Sequence, residues 1–279
     1  MSIGENIKKY RKLRGYNSQE DLAEELGVTF QAVSSWERDE YMPEMKSFLK
    51  LIDVLEVPAA FILEDKTATY NTKDAIYNWE HMKTYVKTVA KTGNMDNTMK
   101  AVDFAVDAHA GQKRKNTTVP YISHPLTMAC HALAMGIKKD EVIAGILLHD
   151  VIEESRKDET KEEIKPEDMP VNERAKELVV LMTCDETTDE NRKKILDVYY
   201  GKLAEDPEGA LIKCIDRCNN LTTMSWGLIP ERKHRMINET EKYYPTLLKV
   251  VKNTPEYNDA AWILQYQMES MLDIYKRLM

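Results

Sequence analysis

Apolar residues recur at three- and four-residue spacing along almost the whole chain and hardly ever alternate, which restricts the fold to packed helices. Ile3, Ile7, Tyr10 and Leu13 open the series, and Gly15 ends that helix. Asn17 or Ser18 can cap the next, which buries Leu22, Ala23 and Leu26 and stops at Gly27. Phe30–Glu37 follows, Pro43 marks a boundary, and Met45–Leu55 and Ala59–Leu63 complete a first helical unit. A polar stretch, 66–74, leads into a connecting helix over 75–91, and Thr92–Asn97 (TGNMDN) reads as a hinge or cap. Helical spacing resumes with Ala101, Phe104, Ala105 and Ala108, and persists to Trp262, Tyr266, Met268, Leu272 and Tyr275. The expectation is an all-α protein in three parts: a unit over 1–65, a helical linker over 66–96, and a larger domain over 97–279.

No run is long enough to span a membrane, and the first residues lack the apolar core of a signal peptide. Cys130, Cys184, Cys214 and Cys218 show no CxxC pairing and read as small buried residues, so the expectation is a cytoplasmic protein. A net charge of −8 argues against nonspecific nucleic-acid binding by the whole molecule. Local basic patches remain: Lys8, Lys9, Arg11, Lys12 and Arg14 near the start, and Lys113-Arg114-Lys115 in the middle.

The segment NSQEDLAEELGVTFQAVSSWERDEYMP resembles the helix-turn-helix of the Xre/Cro/repressor family, over roughly residues 3–65. The resemblance implies a second helix at Phe30–Arg38 that presents its N-terminal side chains to the major groove of double-stranded DNA. Gln31 and Ser34 would then read bases, and Gln19, assisted by Arg11, would contact phosphate. Residues 1–65 hold 8 basic and 13 acidic side chains, a net of −5, and Asp39-Glu40 follow Glu37-Arg38 where the family often has glycine. Acidic groups near the phosphate backbone weaken binding, which keeps dimerisation or protein docking open as the unit's role. Units of this kind commonly work as homodimers on two half-sites.

Four metal-type ligands lie in apolar, helix-like segments: His124 in ISHPLTMACHALA, His149-Asp150 in AGILLHDVIEE, and Asp216 in ALIKCIDRCNNL. Two imidazoles and two carboxylates suit Mn²⁺, Fe²⁺ or Zn²⁺. An ion so held can polarise a phosphoryl oxygen and acidify a bound water, which points to phosphate-ester hydrolysis. Together with AHAGQKRKNTTVPYISHPL and HRMINETEKYYPTLL, these segments resemble the HD hydrolase domain of RelA/SpoT proteins, over about residues 98–250.

The resemblance implies hydrolysis of guanosine tetra- or pentaphosphate at its 3′-pyrophosphate, with Mn²⁺ on His124, His149, Asp150 and Asp216. Glu153 or Glu154 would handle the proton of the attacking water. Arg114 and Lys115, with Lys113 and Arg217 offsetting charge, would receive the guanosine polyphosphate, and Asn220 and Thr223 would bond its ribose or phosphate. Glu154 replaces the usual aspartate, Asn219 a usual histidine or tyrosine, and Thr222 a usual arginine. These departures leave two alternatives: an HD domain acting as a nucleotide sensor for a transcriptional regulator, or hydrolysis of another nucleotide such as NADPH. His109 reads as a buried, hydrogen-bonded helix residue, and His81, His131 and His234 as packing or surface groups.

Overall fold

The computed structural model describes residues 2–63, 78–114, 119–157, 162–184, 188, 191–224 and 230–278. The chain divides into two compact units, 1–72 and 73–279. Each is all-α: among the described residues there is no strand, only an isolated bridge between Lys113 and Pro120. No helix among the described residues is long and apolar enough to cross a membrane.

The first unit comprises α1 (Ile3–Leu13), α2 (Gln19–Leu26), α3 (Phe30–Glu37), α4 (Met45–Val54) and α5 (Ala59–Leu63). Local chemistry sets the boundaries. Ser2 and Ser18 close capping boxes with Glu5 and Asp21, and Thr29 caps α3. Gly27 ends α2 at φ 66°, a left-handed conformation that a side chain disfavours. Ile7, Leu22, Val33, Leu51, Leu55 and Ile62 meet in one apolar core. The acidic turn after α3 proves structural: Asp39 itself takes φ 58°, and its carboxylate accepts from the Gly4 N–H at 2.7 Å. The aspartate where glycine is usual thereby caps the start of α1.

The second unit contains α6 (Trp79–Thr92), α7 (Asp96–Ala108), α8 (Ser123–Ala134), α9 (Asp140–Leu148), α10 (Val151–Arg156), α11 (Glu173–Met182), α12 (Arg192–Ala204), α13 (Pro207–Thr223), α14 (Pro230–Asn253) and α15 (Asn258–Leu278). Helix α6, in the stretch that the sequence marks as connecting, packs on α7 and α8 and adds Val86 and Ala90 to this unit's core. Helix α9 is the central element. Its residues Val142 through Leu148 are all buried, and it packs on α7, α8, α11 and α13. At Gly145, a Cβ would lie 3.2 Å from both Ile212 Cδ1 and Leu178 Cβ. The missing side chain lets α9 seat closely on α13 and α11.

Candidate metal centre

Three helices deliver the polar cluster. His124 lies in the first turn of α8, where Ser123 Oγ donates to the Pro120 carbonyl at 2.8 Å. His149 and Asp150 occupy the break between α9 and α10, so burying α9 carries them inward. Asp216 projects from α13, a helix started by Pro207 and by the Asp206 cap on the Glu208 and Gly209 N–H groups.

His124, His149 and Asp216 are all buried, with donor atoms within 4.8 Å of one another. Asp216 Oδ1 lies 3.3 Å from His124 Nε2 and 3.9 Å from His149 Nε2. Asp150 Oδ2 approaches the same nitrogens, at 3.6 and 3.1 Å.

The far side of each ring sets its tautomer. His124 Nδ1 is 2.6 Å from Asn219 Oδ1, and His149 Nδ1 is 2.8 Å from the Ile146 carbonyl. Both partners are oxygens that only accept, so each Nδ1 carries a proton and each ring turns its Nε2 to the carboxylates. His149 Nε2 is buried without a well-directed hydrogen bond despite its 3.1 Å approach to Asp150. Lone pairs facing carboxylate oxygens at these distances repel unless a cation or a proton lies between them. The donor set therefore fits a divalent ion.

The electrostatics agree. Burial works against charge on His149, yet Asp150 and Asp216 raise its pKa to about 9. His124 is lowered, by burial and then by the Arg114 guanidinium. Asp150 is held well below the usual carboxylate range despite burial, chiefly by His149. Asp216 is lowered too, with Lys213 and His124 outweighing its burial.

Around this core, Arg114 Nη2 donates to Asn220 Oδ1 and Thr223 Oγ1, each at 3.2 Å, and its guanidinium lies 5.6 Å from the Tyr121 ring centre. Asn220 Nδ2 in turn donates to Asp216 Oδ1 at 2.6 Å. Three of the four expected nucleotide residues thus come together beside the cluster; Lys115 lies outside the described residues. Glu153 is half-buried and accepts from the Cys184 N–H at 2.8 Å, and burial followed by Asp150 raises its pKa. Glu154 pairs with Lys157 at 2.6 Å.

Three residues at the cluster escape a reading of ligand spacing. Asn219, noted in the sequence only as a departure, orients His124. Tyr121 donates to Asp150 Oδ2 at 2.6 Å, and half-buried Lys213 holds Asp216 Oδ2 at 3.1 Å. Lys213 precedes Asp216 by three residues, so helical spacing could have found it; the loop residue Tyr121 has no such signal.

Elsewhere the structure departs from expectation. Arg217 is turned away from the centre and buried, donating to the Tyr200 hydroxyl at 3.2 Å with its guanidinium 4.8 Å from the Tyr244 ring centre. In the first unit, Arg11 is 3% exposed and its guanidinium reaches Glu37 at 2.6 Å and the carbonyls of Tyr16 and Asn17, so it is withdrawn from any phosphate. Ser34 is buried and accepts from Arg38, not displayed to read a base. Gln19 is half-buried and bonded to Glu37 at 2.7 Å. Gln31 alone of the four is exposed. His109 is buried with Nδ1 on Gln112 Oε1 at 2.8 Å, while His81, His131 and His234 are exposed.

The match to the HD domain family model covers residues 101–248, the helices that build this centre. The chain belongs to the HD domain family. A helix-turn-helix model matches residues 7–62. The chain is similar to the guanosine-3′,5′-bis(diphosphate) 3′-pyrophosphohydrolase of Aquifex aeolicus (strain VF5), with 36% identity over 155 residues, 53% of this chain and 20% of that protein. It is also similar to the bifunctional (p)ppGpp synthase/hydrolase SpoT of Escherichia coli (strain K12), 29% identical over 62% of this chain and 24% of the relative. The GTP pyrophosphokinase of Streptomyces coelicolor is 29% identical over 63% of this chain and 20% of its own length. The chain thus spans about a fifth to a quarter of the length of these relatives.

Proposed function

We propose that the HD domain hydrolyses the 3′-pyrophosphate of guanosine tetra- or pentaphosphate to GDP or GTP and pyrophosphate, using a divalent ion, with Mn²⁺ the first candidate. One observation carries the reading: two imidazoles whose Nδ1 groups are already hydrogen-bonded turn buried Nε2 atoms to within 3.1–3.9 Å of the Asp150 and Asp216 carboxylates, an arrangement that suits a cation. His124, His149, Asp150 and Asp216 would hold the ion, which when bound supplies Lewis-acid polarisation and a more acidic water.

The chain's own groups supply the rest. Glu153, held by the Cys184 N–H and raised by burial, is suited to take a proton from water near neutral pH, with Glu154 beside it as the other candidate base. Arg114, braced by Asn220 and Thr223, offers a planar cation for a phosphate or guanine face. Lys115 would add a point charge. Tyr121, Asn219 and Lys213 keep the ligand side chains in place. The names of the relatives support this substrate over other nucleotides.

The test is incubation of the full chain with Mn²⁺ and a nucleotide panel. Pyrophosphate release from the guanosine polyphosphates supports the reading. Orthophosphate release from another nucleotide, NADPH included, or binding without products, would overturn it in favour of a different substrate or a sensor.

We further propose that the helix-turn-helix unit binds double-stranded DNA through the start of α3, where Gln31 is exposed. Retardation of genomic fragments that weakens steeply with salt is the expected result, and none at low salt would favour protein docking.

A further inference from the structure

We infer that Phe30 selects thymine through its 5-methyl group, beside the base pair that Gln31 reads. The inference rests on the proposal that α3 enters the major groove of double-stranded DNA, and adds which base is chosen there. Of the four phenylalanines, Phe48 lies in the core of the first unit, Phe61 packs against that core and Phe104 against the core of the second. Phe30 does none of these. It is 40% exposed and joins neither hydrophobic cluster among the described residues. Its ring therefore carries apolar area to whatever the first turn of α3 meets.

The local geometry says what that is. The Thr29 hydroxyl accepts from the Ala32 N–H at 3.2 Å and caps α3, so Phe30 and Gln31 are the first two helical residues. Both are exposed, whereas Val33, Ser34, Trp36 and Glu37 are buried. The opening residues of the second helix are the ones that contact base edges. An adenine shows an acceptor and a donor in the major groove, which match the glutamine amide. Thymine adds a methyl group, which a phenylalanine ring can cover. The ring has no donor or acceptor of its own. Against the N7 and O6 of guanine, or the amino group of cytosine, it strips water and returns no hydrogen bond, which costs free energy. Phe30 thus discriminates twice, through the methyl it covers and through the polar edges it cannot satisfy. Consecutive residues at the start of one helix reach neighbouring pairs, so the bound site holds this thymine next to the pair read by Gln31.

The full chain is incubated with a random-sequence duplex library at low salt, and the retained DNA is sequenced and titrated. Deoxyuridine in place of a thymine deletes only the methyl group. At the position Phe30 reads it should weaken binding by about three- to fivefold, the share of one buried methyl. Phe30→Ala should still bind, no tighter than the unchanged chain binds the uracil duplex, and should treat the thymine and uracil forms alike. Phe30→Leu, still apolar, should keep part of the difference. Unchanged helical circular dichroism and retained binding separate these outcomes from misfolding, which would abolish binding to both duplexes. Retained sites with no methyl-dependent thymine, or a uracil penalty that persists in Phe30→Ala, overturn the inference and leave DNA binding standing. A library from which no duplex is retained overturns DNA binding and this inference together.

Discussion

Each unit buries a polar cluster, and the two clusters differ in one respect that separates scaffold from site. In the first unit, Arg11 reaches both Glu37 oxygens and two backbone carbonyls, and Gln19 completes the shell on Glu37. The charges and their hydrogen bonds close on one another. In the HD domain, the Nδ1 side of each imidazole is satisfied, while the Nε2 atoms face carboxylates and His149 Nε2 has no well-directed bond. A closed buried cluster fixes a fold; an open one fixes a place for something from outside.

The largest effect should come from the open cluster. Asp216→Asn or His149→Ala should remove Mn²⁺ binding in calorimetry and cost several kcal/mol of catalysis, more than about a 10³-fold loss of pyrophosphate release. Full turnover in either variant would end the distinction between the clusters. The closed cluster should behave oppositely. Glu37→Ala leaves the Arg11 guanidinium buried without its carboxylates and should cost the fold about 3–5 kcal/mol, read as earlier unfolding in a denaturant titration, with Mn²⁺ affinity unchanged.

The sequence already carried much of this distinction. The order and spacing of His124, His149-Asp150 and Asp216 were legible because each stands in an apolar helical segment, where a polar ligand is conspicuous. The stop at Gly27 is legible, and the N-cap is narrowed to Asn17 or Ser18, because capping is local chemistry; the structure selects Ser18. Arg11 and Ser34 were misplaced because a helical period says which face a residue occupies, not which partner on another helix will draw it inward. Glu37 lies 26 positions beyond Arg11, and only tertiary packing joins them. Asn219 shows the converse: replacement of a usual aromatic or imidazole looked like a change in nucleotide preference, yet its amide oxygen is what holds His124.

Residues that hold the ligands should have intermediate effects. Asn219→Ala frees His124 Nδ1 and Tyr121→Phe frees Asp150 Oδ2, and each should weaken Mn²⁺ by about 10- to 100-fold without unfolding the chain. Metal titration followed by calorimetry separates this from a loss of stability. If either substitution lowered denaturant resistance as Glu37→Ala does and left metal affinity alone, that residue would belong with the closed kind.

The gentlest probe is pH. In the metal-free chain, a proton on His149 takes the cation's place, since the Asp150 and Asp216 carboxylates raise its pKa to about 9 against burial. An unfolded histidine titrates near ~6.5, so the folded state binds the extra proton between those values. That contribution to stability is complete below ~6.5 and is lost as pH rises through about 9. The melting temperature of the metal-free protein should therefore fall across this window. A divalent ion needs the bare Nε2, so loading at pH 8 should release roughly one proton, and apparent affinity should drop about tenfold per pH unit below 9. Calorimetry in buffers of different ionisation enthalpy counts that proton directly. Metal binding with no proton release would mean that His149 is already neutral, and that the carboxylates tolerate a bare lone pair beside them without a cation.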